Sequence, residues 1–168
     1  MEPSGVDHAA LYEWVDSARI TRVIQMYFQA LDEKHFNESH FRQIVTSDAK
    51  VIRPNGAAVV GTKNIADSHA RSFARFEATQ HLFTDPHIDI DGDTAAVRAN
   101  LVAIHVWKDH PVEEDMRDRA FTAGGVITVA LTRAPDGWRI TQTENRVIWR
   151  TGYFGDMLQF SYGAPPPA

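Results

Sequence analysis

The second half of the chain fixes its fold class. Residues 79–90, 95–107, 119–133 and 138–149 are four long runs rich in β-branched and aromatic side chains, the composition of strands rather than helices. Asp91-Gly92-Asp93 joins the first pair and Pro135-Asp136-Gly137 the last. Both carry the Gly, Pro and Asp chemistry of tight hairpins. The joint at 108–118 is polar and charged, which fits a longer hairpin loop. Gly124-Gly125 interrupts the third run and marks a bulge.

The first half has a different period. Ile20, Val23, Ile24, Tyr27, Phe28 and Leu31 recur at three- and four-residue steps and make one apolar helix face. Asp16 and Ser17 precede that face as candidate N-caps. A short helical piece follows over 39–45. Residues 49–53 and 57–60 read as short strands around the turn Pro54-Asn55-Gly56. Gly61-Thr62 then leads into a helix with Ile65, Ala66, His69, Phe73 and Phe76 on its apolar side. Helices first and long hairpin-linked strands after predict an α+β fold, its helices packed on one face of a curved sheet. With 168 residues the chain fits one domain. The expected division is an N-terminal extension at 1–14, the domain at 15–162 and a disordered Pro-rich tail at 163–168.

Composition narrows the chemistry. Cysteine is absent, which removes disulfides, thiolate metal sites and a cysteine nucleophile. The net charge is -5 and there is no basic block, so nucleic acid is not an expected partner. No run approaches the roughly 18 apolar residues of a membrane span. The first residues lack the basic start and apolar stretch of a signal peptide, and a cytoplasmic location is expected. Carboxylate, imidazole and guanidinium remain, with eight histidines among them.

Several patterns fail on spacing. Asp89-Ile90-Asp91-Gly92-Asp93 has its glycine at the fourth position of a calcium loop rather than the sixth, and Asn100 at the twelfth. His35/His40 and His105/His110 lack the His-x-x-x-His spacing of a zinc hydrolase helix, and no metal is expected. There is no nucleophile elbow, phosphate-binding loop or dinucleotide fingerprint.

Individual residues admit a bland and a functional reading. Asp32 borders the apolar helix face four residues after Phe28, either solvated at the helix end or aimed into a pocket. His81 and His105 lie on successive strand runs, as core groups or as acid–base groups. Tyr27 sits on the core stripe, where packing is the commoner role and a phenol offered to a pocket the functional one. His69 shares a helix face with Phe73. Asn100 has the opposite strand parity to His105. Trp107, Trp138 and Trp149 read as sheet packing or subunit interface. Spacing alone does not bring Asp32, His81 and His105 together.

The order of elements, with the segments Tyr27-Phe28-Gln29-Ala30-Leu31-Asp32, Thr79-Gln80-His81, Asp91-Gly92-Asp93-Thr94-Ala95, Asp136-Gly137-Trp138-Arg139-Ile140 and Val147-Ile148-Trp149-Arg150 before Tyr153-Phe154, resembles the nuclear transport factor two-like superfamily. The branch is the SnoaL-like and scytalone-dehydratase-like one. The resemblance spans about residues 15–160. It implies a cone: a curved antiparallel sheet wrapped around the N-terminal helices, with a deep central pocket. It also implies a homodimer or homotrimer.

In the dehydratase branch a pocket aspartate at the end of the first helix bonds a histidine in a Thr-Gln-His segment, and a second histidine lies on the next strand. Carried over, these are Asp32, His81 and His105 as catalytic residues. Such a dyad can remove a proton α to a carbonyl and protonate a departing hydroxyl without a cofactor. The dehydratase's carbonyl-polarising tyrosines fall here at Leu31 and near Arg53. An arginine that related bile-acid dehydratases place on the last strand corresponds to Arg146, which shares parity with Gln142, Glu144 and Ile148. Tyr27, Arg53 and Arg146 are therefore the expected substrate contacts. The resemblance implies a cofactor-independent lyase or isomerase on a small cyclic, hydrophobic, carbonyl-bearing substrate. The alternatives are an aldol-type polyketide cyclase and a non-catalytic binder in the same cone.

Overall fold

The computed structural model describes residues 8–108 and 119–154. Its elements are α1 (His8–Asp32), α2 (Glu38–Phe41), β1 (Val45–Ile52), β2 (Ala58–Val60), α3 (Thr62–Phe73), β3 (Phe76–Asp91), β4 (Thr94–Trp107), β5 (Ala120–Ala134) and β6 (Gly137–Gly152). The expected α+β class is the one observed. The linker expected at 108–118, beyond Lys108, and the tail expected at 163–168 lie outside the described residues.

The six strands form one sheet in the order β2-β1-β6-β5-β4-β3. β3 to β6 run as an antiparallel meander, and β1 pairs antiparallel with β2. The expectation of a wholly antiparallel sheet needs one correction. β1 lies parallel to β6, with Lys50 opposite Gln142 and Ile52 opposite Glu144. A period-2 pattern records which face a residue takes and nothing about strand direction. The connection from β1 to β6 runs through β2, α3 and the strands β3 to β5, ample for a parallel pair.

The core lies between the sheet and the helices. α1 has no internal Gly or Pro and buries Ile20, Val23, Ile24, Tyr27, Phe28, Ala30 and Leu31 along one side. β4 alternates strictly, with Ala95, Val97, Ala99, Leu101 and Ala103 facing inward. Three of those five are alanines. Trp138, Phe41, Ile24 and Ile140 are among the largest fully buried side chains. Truncating one such aromatic costs about 3–5 kcal/mol.

Three boundaries differ from the sequence expectation. α1 begins at His8, so Asp16 and Ser17 lie inside the helix and cap nothing. Asp16 instead accepts hydrogen bonds from Arg133 and from the Trp138 indole. Val45 opens β1 rather than closing a helix, and Phe76 opens β3 rather than extending the α3 face. The β5–β6 register does shift at Gly124-Gly125, but the extra residue is Ile148 on β6 rather than a glycine of β5. Trp149 lies against Gly124 and the Arg146 carbonyl against Gly125, leaving no room for a side chain at either. The Asp91-Gly92-Asp93 segment is the β3–β4 hairpin turn. No helix among the described residues is long and apolar enough to cross a membrane.

Candidate active site

α1 ends in a way that aims Asp32. The His35 N–H bonds the Ala30 carbonyl at 2.9 Å and the Lys34 N–H bonds Leu31 at 3.3 Å, the paired bonds of a Schellman motif. Lys34 takes the left-handed position, φ 57°, where glycine is usual. Its ammonium then donates to the carbonyls of Phe76 and Glu77 at 2.7 and 2.9 Å. The helix end is thereby tied to the first residues of β3, a few residues before His81.

Asp32 uses both oxygens on that strand. Oδ1 lies 2.6 Å from His81 Nδ1 and accepts from the Thr79 hydroxyl at 2.9 Å. Oδ2 accepts from the His81 backbone N–H at 2.9 Å. Burial raises the carboxyl's pKa, and a helix C-terminus also disfavours an anion. The bonds from the His81 ring, the His81 N–H and Thr79 outweigh this, and the pKa is held below the usual carboxylate range. A carboxylate only accepts, so His81 Nδ1 carries the hydrogen in the neutral ring and Nε2 carries the free lone pair. The His81 side chain is 6% exposed and stacks on Phe28 at 5.3 Å.

His105 lies on β4, on the same inward side. Thr79 is opposite it in the β3–β4 register, and its ring meets that of His81 edge-on at 5.6 Å. It is stacked on Phe121 at 4.4 Å, with Phe76 at 4.8 Å. Burial in this aromatic box, with a smaller push from His81, lowers its pKa to about 3. Near neutrality it is an uncharged imidazole that donates or accepts one hydrogen bond and stores no proton. Its buried Nδ1 has no hydrogen-bond partner among the described residues.

A cavity of about 360 Å³ opens between α1, α3 and the sheet. Phe28, Leu31, Phe73, Phe76, Phe121 and Val147 are among its apolar lining. Its polar side chains include Tyr27, Arg53, His69, His81, His105 and Asn145. Tyr27 and His69 form a pair, with the phenol oxygen 2.9 Å from His69 Nε2. Both are buried. Burial lowers the His69 pKa to about 3, with the Arg53 charge adding to the effect, and raises that of the Tyr27 phenol. Packing and pocket lining, weighed as alternatives for Tyr27, therefore coexist. Arg53 lines the same cavity and donates from Nη2 to the Ser68 and Ser72 hydroxyls at 2.6 and 3.1 Å.

Arg146 is a correction. It is exposed on the outer side of β6, while Thr143, Asn145 and Val147 line the cavity. The cause is a bulge. Gln142 pairs with Ala130 but Ile140 pairs with Leu131, so Thr141 is an extra residue. Buried Trp138 and Ile140 put even positions inside before it, and odd positions face inward after it. Asn145 thus takes the place expected of Arg146. Asn100 points outward to Asp85, as its parity requires. Lys34, Thr79 and Asn145 are site residues that spacing could not find, because each owes its role to a turn, a register or a bulge.

A second hollow, about 680 Å³ and open to solvent, lies by the start of α3. Its cations are already paired, Arg42 with Glu38, Lys63 with Asp67 and Arg139 with Asp136, each at 2.6 Å. It holds no acid–base pair comparable to Asp32–His81. Among the described residues no group of three or more acidic or imidazole side chains could hold a metal ion.

Comparison with known proteins agrees with this architecture. The SnoaL-like domain family matches residues 13–144. No curated protein matches the sequence significantly. Among solved structures, a candidate scytalone dehydratase from Novosphingobium aromaticivorans superposes with a TM-score of 0.71 at 20% identity, covering 84% of this chain and 90% of that one. The hexachlorocyclohexane dehydrochlorinase LinA-type3 from Novosphingobium barchaimii superposes at 0.71 and 16% identity, covering 94% and 99%. A nuclear transport factor 2-like superfamily protein from Salmonella enterica does so at 0.69 and 18%, covering 83% and 96%. At these identities the likeness is one of fold, the cone of the nuclear transport factor 2-like superfamily. The chain belongs to the SnoaL-like domain family.

Proposed function

We propose that this SnoaL-like chain is a lyase or isomerase that works by proton transfer on a small ring compound, with Asp32 and His81 as its acid–base dyad. One observation carries the reading. The Asp32 carboxylate holds His81 through Nδ1 at 2.6 Å, leaving Nε2 as the basic atom beside an apolar cavity. A base in that position removes a proton from a carbon next to a carbonyl. The imidazolium so formed is stabilised by Asp32, which stays ionised. The same proton, now on Nε2, is then delivered to a departing group or to a second carbon. The first outcome is elimination and the second isomerisation. His105, uncharged and 5.6 Å away ring to ring, donates a hydrogen bond to the oxygen on which negative charge develops. Tyr27, held by His69, is a further hydrogen-bonding group in the same cavity.

Two of the structural neighbours bear names that denote eliminations from a ring, a loss of water and a loss of hydrogen chloride. That favours elimination over aldol closure for the same base. The test uses 2-tetralone, a two-ring ketone with acidic α-hydrogens, followed by NMR in deuterated buffer. The expected result is α-hydrogen exchange well above the buffer rate, lost in His81→Ala. Exchange at the buffer rate with intact protein, or exchange retained in His81→Ala, contradicts the reading.

A further inference from the structure

We propose that the natural substrate is an anion: a ring compound whose carboxylate docks on Arg53 while its acidic C–H faces His81. The orientation rests on the acid–base reading above; the anion preference does not. The chain carries a net charge of -5, yet among the described residues the cavity wall contains no Asp or Glu side chain. It contains Arg53 and Arg75 instead. The Asp32 carboxylate lies behind His81 and is already engaged by three donors.

Arg53 is partly buried, and no carboxylate among the described residues lies within ion-pair distance of it. Arg42, Arg119, Arg133 and Arg139 each have one. The partners of Arg53 are two neutral hydroxyls, Ser68 and Ser72, both bonded to Nη2. They fix the guanidinium without neutralising it. Nε and Nη1 have no hydrogen-bond partner among the described residues. A partly buried guanidinium held this way carries an unmet demand for an anion. With both Nη2 hydrogens taken by the serines, the remaining N–H groups offer a carboxylate one charge-assisted bond. Because the serines already order the side chain, little rotamer entropy remains to be lost on binding. The charge of Arg53 is felt by its neighbours in the cavity, where it contributes to the pKa shifts of Tyr27 and His69. The cavity is therefore divided. An apolar body takes the ring, one end offers a fixed cation and the other a base.

The experiment compares 2-naphthoate with 2-naphthamide, which has the same shape and no charge, by titration calorimetry on the full chain. The expected result is at least about tenfold tighter binding of the naphthoate, the size of one charge-assisted bond against a neutral one. Arg53→Gln should bring naphthoate down to the affinity of the amide and leave the amide nearly unchanged. Arg53→Lys should keep part of the preference. His81→Gln should keep it whole, which excludes a carboxylate seated on a protonated His81. Equal affinities in the unaltered protein, no binding of either probe, or a preference that survives Arg53→Gln would overturn the proposal. Calorimetry on the unaltered protein decides the matter even where Arg53→Gln does not fold. 2-Tetralone is uncharged, so its exchange tests the base separately. Failed exchange with a retained naphthoate preference removes the base and keeps the anion pocket; the reverse removes the anion alone.

Discussion

Helix α1 carries two aspartates that serve different ends of the molecule. Asp16 accepts two hydrogen bonds from Arg133, at 3.0 and 2.7 Å, and one from the Trp138 indole at 3.1 Å. Arg133 also reaches Asp93 at 2.9 Å and lies 4.5 Å above the Trp138 ring. Every charge there meets a permanent opposite charge. The bond from Arg133 holds the Asp16 carboxyl below its usual pKa, and nothing in the group changes protonation near neutrality. Asp32 sits on the same helix and is also held low, but its partner is an imidazole. One partner cannot release a proton and the other can. The first end locks the helix to the sheet, and the second leaves a basic nitrogen facing a cavity.

The largest expected effect separates these two roles. Asp32→Asn should slow α-hydrogen exchange of 2-tetralone by about 10²–10⁴-fold, the usual worth of a positioned acid–base group. The amide would no longer hold the ring in the required tautomer or stabilise its charged form. Asp16→Asn should leave the exchange rate within about twofold. If Asp16→Asn slows exchange as much as Asp32→Asn, the two ends are not distinct. In urea unfolding Asp16→Asn should lower the midpoint, because the Arg133 fork loses its carboxylate.

Next in size is the response to acid. Burial lowers the pKa of His69 and of His105 to about 3 each, against about 6.5 in an unfolded chain. The unfolded chain thus binds more protons between those values, and stability falls as pH drops from 6.5 towards 3. The contribution is fully present above pH 6.5. For buried His69 the slope is on the order of 1 kcal/mol per pH unit. The two aspartates have lowered pKa values, so their contribution persists above about pH 4 and is lost below it. Urea midpoints measured from pH 7 to 4 should decline, and His69→Gln should flatten that decline. An unaltered slope in His69→Gln would mean that His69 is not the buried neutral group described.

The smallest effect concerns Lys34. Lys34→Met removes the tie to the Phe76 and Glu77 carbonyls while keeping the apolar stem. About 1 kcal/mol of stability should be lost. Exchange should slow several-fold through kcat, with KM little changed, because the dyad loses its anchor but no substrate contact is removed. A change in KM alone would place Lys34 in binding rather than positioning.

What was legible in the sequence follows from how local each signal is. The helix stripe from Ile20 to Leu31 and the inward alternation of Ala95 to Ala103 are local patterns, and both appear as buried faces. The hairpins at Asp91-Gly92-Asp93 and Pro135-Asp136-Gly137 are local chemistry as well. The juxtaposition of Asp32, Thr79 and His81 is not local. It came from resemblance, and the Schellman end of α1 brings it about. Arg146 faces outward because the extra residue Thr141 reverses the parity of β6 as far as the second register shift at Ile148. No period in the sequence announces such a bulge. The parallel pairing of β1 with β6 was hidden for a related reason, since strand direction leaves no mark on hydrophobic alternation.

The central claim is that Asp32 turns His81 into a base whose lone pair faces the cavity. Nitrogen-15 NMR of the imidazole rings, with His81 assigned by comparison with His81→Gln, tests this without any substrate. The account predicts that neutral His81 carries its hydrogen on Nδ1 and leaves Nε2 unprotonated, and that Asp32→Asn disturbs this state while Asp16→Asn does not. A neutral His81 with its hydrogen on Nε2 would contradict it.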